Sequence, residues 1–103
     1  MINCNCLIQE GSLSPAQISA LENSLGGLAQ KFFDEEASLS WTSIPKGSGF
    51  TGGVPSNSSL VSMGVPDTIE TDVRTTLLQA ICDVWIEHTH CSVNEIVASA
   101  INR

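Results

Sequence analysis

The sequence predicts an α+β fold in which two βαβ units form a four-stranded sheet with both helices on one face. Strand-like apolar segments alternate with two amphipathic segments of helical length, in the order strand, helix, strand, loop, strand, helix, strand. The halves, residues 1–45 and 59–103, also resemble each other at an offset of about 57 residues. A helix between two strands implies a right-handed crossover and parallel pairing. We therefore expect a single domain over residues 1–103.

The first half carries clear signals for each of its elements. Residues 2–8 place apolar and thiol side chains on one face, which is typical of a mostly buried strand. Ser14 can cap the first amides of a helix, and Pro15 suits the first helical position. Apolar residues then recur at helical spacing over 15–33. Residues 39–44 complete the unit as a second short strand.

The second half repeats this plan after residues 46–58, a Gly-, Ser- and Pro-rich stretch that we interpret as a loop. Residues 60–65 predict a strand, Pro66-Asp67 leads into the second helix, and residues 95–101 predict the last strand. Two such units place both helices on one face of the sheet. We expect the other face to be apolar and to be covered by another protomer.

Composition excludes several classes of partner. The chain has 11 acidic residues against four Lys and Arg, and its net charge is −7. Nucleic acid and anionic membrane surfaces require clustered cations, so neither is an expected partner. There is no apolar run of the roughly 20 residues that cross a bilayer. With no secretory signal visible, we expect a cytoplasmic protein whose four cysteines are reduced.

Three stretches of the chain resemble the tautomerase superfamily. "LIQEGSLSPAQISAL" resembles the strand-turn-helix start of 4-oxalocrotonate tautomerases. "GFTGGVPSNSSLVSMGV" is similar to the central loop and third strand of cis-3-chloroacrylic acid dehalogenase and of macrophage migration inhibitory factor. "RTTLLQAICDVWIEHTHCSVNEIVASAI" resembles their second helix and last strand, so the resemblance covers nearly the whole chain.

This resemblance implies an assembly and a mechanism. Superfamily members with double units form trimers, and their pockets lie between protomers. An amino-terminal proline in each pocket acts as base or acid because its amine has a lowered pKa. Cationic side chains hold the carboxylate of the substrate. For this chain, the resemblance implies a homotrimer, no cofactor and a small organic acid as the ligand.

The residues at the family's catalytic positions depart from that pattern. The proline position falls on Ile2, and we expect Met1 to be retained because isoleucine is too bulky for trimming of the initiator methionine. Positions that carry cations in relatives align with Asp34, Asp67 and Glu70. The proline mechanism is therefore absent, and Met1 and Ile2 mark its position without its function.

A few residues remain as candidates for the pocket wall or for substrate binding. These candidates are Trp41, Met63, Arg74 and Ser99. Three of them also have a structural interpretation: the tryptophan and the methionine suit a core, and the arginine suits a solvated helix where it pairs with Glu70 or Asp72.

Cysteine and histidine residues offer an alternative chemistry. Cys4, Cys6, His88, His90 and Cys91 contain the ligand types that zinc prefers. A C-x-C pair on a strand, however, points both thiols into a core, and histidine near the end of a helix suits the helix dipole. We expect no metal site.

Two functions stay open on the sequence. One is a tautomerase-superfamily protein without the proline amine, with weak or no activity toward a small 2-oxo acid or enol; as an enzyme it would be a tautomerase, dehalogenase or decarboxylase. The other is a non-catalytic trimer with a binding or structural role and a vestigial pocket.

Overall fold

The computed structural model of the chain describes residues 1–51 and 53–102. Its elements, in chain order, are β1 (Ile2–Gln9), α1 (Pro15–Phe33), β2 (Ala37–Ile44), β3 (Phe50–Thr51), β4 (Val54–Pro55), β5 (Ser59–Val65), α2 (Thr71–Thr89), a 3-10 turn (Val93–Glu95) and β6 (Ile96–Asn102). Neither α1 nor α2 is long and apolar enough to cross a membrane.

The main sheet has the order β2-β1-β5-β6. Each βαβ unit pairs its own strands in parallel, β1 with β2 and β5 with β6. The two units meet at the antiparallel pair β1–β5. Both helices pack on one face of this sheet, so the predicted α+β architecture of two βαβ units is confirmed.

The helix boundaries follow local chemistry. α1 begins at Pro15 as predicted, because the Ser14 hydroxyl accepts from the Gln17 amide at 3.1 Å and the Gln17 side chain accepts from the Ser14 amide at 2.8 Å. α2 begins only at Thr71, later than Pro66-Asp67 indicates. The chain first makes a turn in which the Ile69 amide donates to the Pro66 carbonyl oxygen at 3.1 Å.

The core lies between the sheet and the two helices. Alternate residues of β1 and β5 are buried there against one stripe of each helix, as expected for half-buried strands. The fully buried side chains of this layer are Ile2, Cys4, Leu21, Leu25, Ala29, Val61, Met63, Val65, Leu77 and Ile81. Trp85 of α2, 1% exposed, is the largest of the fully buried side chains.

The open face of the sheet differs from the expected apolar surface. Register places Ser40, Asn5, Ser62 and Ser99 in one polar row across all four strands. The Ser62 and Ser99 hydroxyl oxygens lie 2.9 Å apart within this row. The neighbouring row, which runs through Leu7, Leu60 and Val97, is apolar. The open face is therefore mixed, and the expectation of a uniformly apolar face is wrong.

The Gly- and Ser-rich segment, described over residues 46–51 and 53–58, contains strand pairing that a plain loop lacks. It contains the β3–β4 hairpin and is held against the buried side chain of Gln9. The Gly47 amide donates to Gln9 Oε1 at 3.2 Å, and Gln9 Nε2 donates to the Ser56 carbonyl oxygen. Gly49 is required at this crossing, because a Cβ there would lie 2.6 Å from the Ser56 carbonyl oxygen.

Candidate functional site

The amino end of β1 is the place where the resemblance puts catalysis. Parallel pairing brings the start of β2 beside Ile2, with Ala37 as its register partner. Because β5 runs antiparallel to β1, the carboxyl ends of β5 and β6 reach the same end of the sheet, where Val65 pairs with Asn102. This end therefore gathers residues from both βαβ units.

Ile2 belongs to the core. Its side chain is 0% exposed and packs in the layer between sheet and helices. Its amide donates to the Glu36 carbonyl oxygen at 2.8 Å, which ties the start of β1 to the approach to β2. A β-branched residue suits such a strand position, as the sequence predicts.

Met1 lies outside this layer, with 67% of its surface exposed. Its amino nitrogen is 2.6 Å from Glu35 Oε1, and the two groups form an ion pair. Sequence reasoning missed Glu35. The acidic run of residues 34–36, placed just before a strand parallel to β1, was the signal that could have identified it.

Arg74 is half-buried and holds α2 against the end of β6. Its guanidinium donates to the Ala100 carbonyl oxygen and, at 2.6 Å, to Asn102 Oδ1. Among the described residues it forms no ion pair with Glu70 or Asp72, so the solvated-pair interpretation is wrong. A guanidinium whose donors already bind protein oxygens is less available to a substrate carboxylate.

The other predicted pocket residues lie on different sides of the sheet. Met63 is fully buried under the helices. Trp41 is half-buried on the same face, with its ring centroid 6.0 Å from that of Trp85. The Trp41 Nε1 atom is buried and has no hydrogen-bond partner in the described part of the chain. Ser99 lies on the open face. Pockets between protomers involve more than one chain, so the pocket roles of these residues stay predictions.

The cysteine and histidine residues are dispersed through the fold. Cys4 and Cys6 are buried in β1, where the hydrogen bond between the two thiols and burial together raise the pKa of Cys6. His88 of α2 instead forms a hydrogen bond with Ser24 of α1, with 2.9 Å between His88 Nε2 and Ser24 Oγ. Within residues 1–51 and 53–102, no group of three or more His, Cys, Asp or Glu side chains is placed to hold a metal ion.

A cavity of about 340 Å³ lies at the opposite end of the sheet, where β1 ends and β5 begins. Its lining residues are Gln9, Glu10, Gly11, Ser12, Leu13, Lys46, Asn57, Ser59, Trp85, Thr89, Cys91 and Glu95. These residues come from segments far apart in sequence, with no motif in common. The cavity was therefore not predicted from the sequence.

Comparison with known proteins identifies the fold. No protein-family profile and no curated protein matches the chain. Among solved structures, native Ps01740 matches with a TM-score of 0.91 and 20% identity, over 98% of this chain and 93% of that one. N1, a member of the cis-3-chloroacrylic acid dehalogenase family, matches with a TM-score of 0.89 and 10% identity, over 98% and 74%.

A fused 4-OT, described as a wild-type symmetric trimer, matches with a TM-score of 0.87 and 13% identity, over 98% of this chain and 85% of that one. At sequence identities this low, structural similarity supports a shared fold but not a shared reaction. Together with the two-unit topology, the matches show that this chain has the fold of the tautomerase superfamily.

Proposed function

We propose that this chain is a tautomerase-fold homotrimer with a binding or structural role and with weak or no tautomerase activity. The observation that carries the proposal is the environment of Ile2. The position that aligns with the catalytic proline holds a side chain with no exposed surface, and its backbone N–H is already donated to Glu36. A base must instead present a reactive nitrogen to the substrate within hydrogen-bond reach.

The charges around this end support the same conclusion. Asp34, Asp67 and Glu70 are all exposed, and they stand where relatives carry cations. The Arg74 guanidinium donates its hydrogen bonds to Ala100 and Asn102 of β6. Repulsion between like charges disfavours a carboxylate ligand at such a surface, so a small 2-oxo acid would bind weakly here.

The trimer is proposed from the open face and from the fold. Leu60, Val97 and Ile101 are 43%, 51% and 57% exposed on the β5–β6 half of that face, and a second protomer would remove this apolar surface from water. A protein of the same fold is described as a trimer. Light scattering after gel filtration should give the mass of three 10.9 kDa chains. A single chain of 10.9 kDa would contradict the trimer.

The competing candidate is an enzyme that acts on a small 2-oxo acid or enol, and one contact favours it. The Met1 amine and the Glu35 carboxylate are 2.6 Å apart, close enough to exchange a proton. Such a pair could act as a proton relay at the surface, displaced from the family's proline position by about one residue.

An assay with phenylenolpyruvate and with 2-hydroxymuconate separates the two candidates. We expect rates of ketonisation indistinguishable from those of buffer alone, with intact mass measured in parallel to establish the first residue of the purified chain. Glu35→Gln is the matched variant, since it keeps the shape of the side chain and removes its charge. Turnover well above the buffer rate that is lost on blocking the amino terminus, and on Glu35→Gln, would replace our proposal with the enzyme.

A further inference from the structure

We propose that the cavity at the carboxyl end of β1 binds a small zwitterion, a free amino acid with a polar side chain. This site lies at the opposite end of the sheet from Ile2 and uses none of the residues around Met1. It is therefore independent of the function proposed above. The observations that carry it are a constructed wall, a serine hydroxyl in the lining, and charges of both signs at the rim.

The wall of the cavity is built around Gln9. This side chain is 1% exposed and joins two points of the 46–58 segment through its amide, Gly47 through Oε1 and Ser56 through Nε2. The Gln9 carbonyl oxygen also accepts from the Ser12 hydroxyl at 2.7 Å, which fixes the turn into α1. The cavity is thus bounded by segments held in place before any ligand arrives, which lowers the ordering cost of binding.

Ser59 supplies the second observation. It is 5% exposed and lines the cavity at the start of β5. Its side chain adds a hydroxyl to the polar part of the lining, together with Asn57 and Thr89. A serine hydroxyl can donate one hydrogen bond and accept others, so a polar group of a ligand can bind to it.

Charged groups of both signs define the ligand. Lys46 lines the cavity and forms no ion pair with any described carboxylate, so its ammonium is free to bind an anion. Glu10 and Glu95 supply two carboxylates. One oxygen of Glu95 accepts from the Ser92 amide at 2.9 Å, which leaves its second oxygen for a cation. A molecule that carries one ammonium and one carboxylate complements this arrangement, whereas a simple anion would meet two like charges.

Size and polarity restrict the zwitterion further. The volume of about 340 Å³ corresponds to about 11 water molecules at ~30 Å³ each, enough for an amino acid of about ten non-hydrogen atoms. Leu13 and Trp85 give the cavity an apolar side, and Asn57 and Thr89 add polar groups. An amino acid with a short methylene chain and a polar end uses both kinds of surface.

Titration of the full-length ¹⁵N-labelled chain with L-glutamine tests the proposal. We expect chemical-shift changes at the amides of Ser59, Thr89 and Cys91 and at the Trp85 indole, and none around Ile2. N-acetyl-L-glutamine, which lacks the ammonium, and L-glutaminamide, which lacks the carboxylate, should each bind at least about tenfold more weakly.

Variants identify the groups responsible. Ser59→Ala should weaken L-glutamine binding about threefold to tenfold, the effect of one neutral hydrogen bond. Lys46→Gln should weaken it by at least as much, whereas Lys31→Gln, which removes a cation from α1 outside the cavity, should leave it unchanged. No shift change up to ~20 mM would overturn the proposal. Binding of either single-charge analogue as tight as that of L-glutamine, or shift changes confined to the Ile2 end, would overturn it as well.

Discussion

Shortening Ile2 tests whether this side chain is part of the core or the wall of a pocket. Ile2→Ala removes three carbons from a side chain with no exposed surface, which at about 0.8 kcal/mol per buried carbon is about 2.4 kcal/mol. The cavity that remains between sheet and helices raises the expected loss to about 2–5 kcal/mol. Ile2→Val removes one carbon and should cost only about 0.5–1.5 kcal/mol.

Urea denaturation followed by tryptophan fluorescence measures both losses, as a lower midpoint with an unchanged slope. One fixed protomer concentration is needed throughout, because association shifts the apparent free energy of unfolding. Val93→Ala is the control, since Val93 is 74% exposed and should change stability by no more than ~0.5 kcal/mol. If Ile2→Ala costs as little as this control, Ile2 does not belong to the core and our account of the amino end fails.

Three further predictions follow from contacts elsewhere in the chain. Gly49→Ala should destabilise the fold by about 1–3 kcal/mol in the same denaturation assay, because the added Cβ would meet the Ser56 carbonyl oxygen. Gly26→Ala is the control: it has open space around it in α1 and should stabilise by up to about 1 kcal/mol. Equal effects of the two substitutions would contradict the close packing at Gly49. Arg74→Gln should cost about 1–3 kcal/mol through the lost bonds to β6, and an unchanged midpoint would contradict them. In iodoacetamide labelling followed by mass spectrometry, the buried Cys4 and Cys6 should resist alkylation until urea is added. The half-buried Cys82 and Cys91 should react first. Rapid labelling of all four cysteines would contradict the burial of Cys4 and Cys6.

Much of the fold was predictable because its signals are local and periodic. The Ser14-Pro15 entry placed the start of α1 correctly, since capping depends on neighbouring residues alone. The start of α2 was less accurate, because the turn after Pro66 is helix-like in sequence but closes separately. The order of the 46–58 segment could not be read from its glycines. It depends on hydrogen bonds to Gln9, which lies 38 positions before Gly47 in the sequence.

The candidate sites depend on contacts between distant segments, which periodicity does not report. The sequence placed Ile2 at the start of a buried strand, and the structure buries it there. It did not indicate that Arg74 would bond to β6, because the register of β6 against α2 is set by tertiary packing. The cavity lined by Ser59 could not be predicted from the sequence for the same reason, because its lining residues come from several segments and share no short motif.

The ketonisation rate of the Ile2→Pro variant tests the central claim most directly. The substitution should permit removal of Met1 and place a secondary amine at the family's catalytic position. Intact mass verifies that Met1 has been removed, and circular dichroism verifies that the variant folds. We predict only a slight rate above buffer with phenylenolpyruvate. The exposed Asp34, Asp67 and Glu70 repel its carboxylate, and nearby negative charge favours the protonated, inactive form of the amine. A rate comparable to that of an ordinary tautomerase would contradict the account, because it would mean that a complete cationic pocket exists at this end of the sheet.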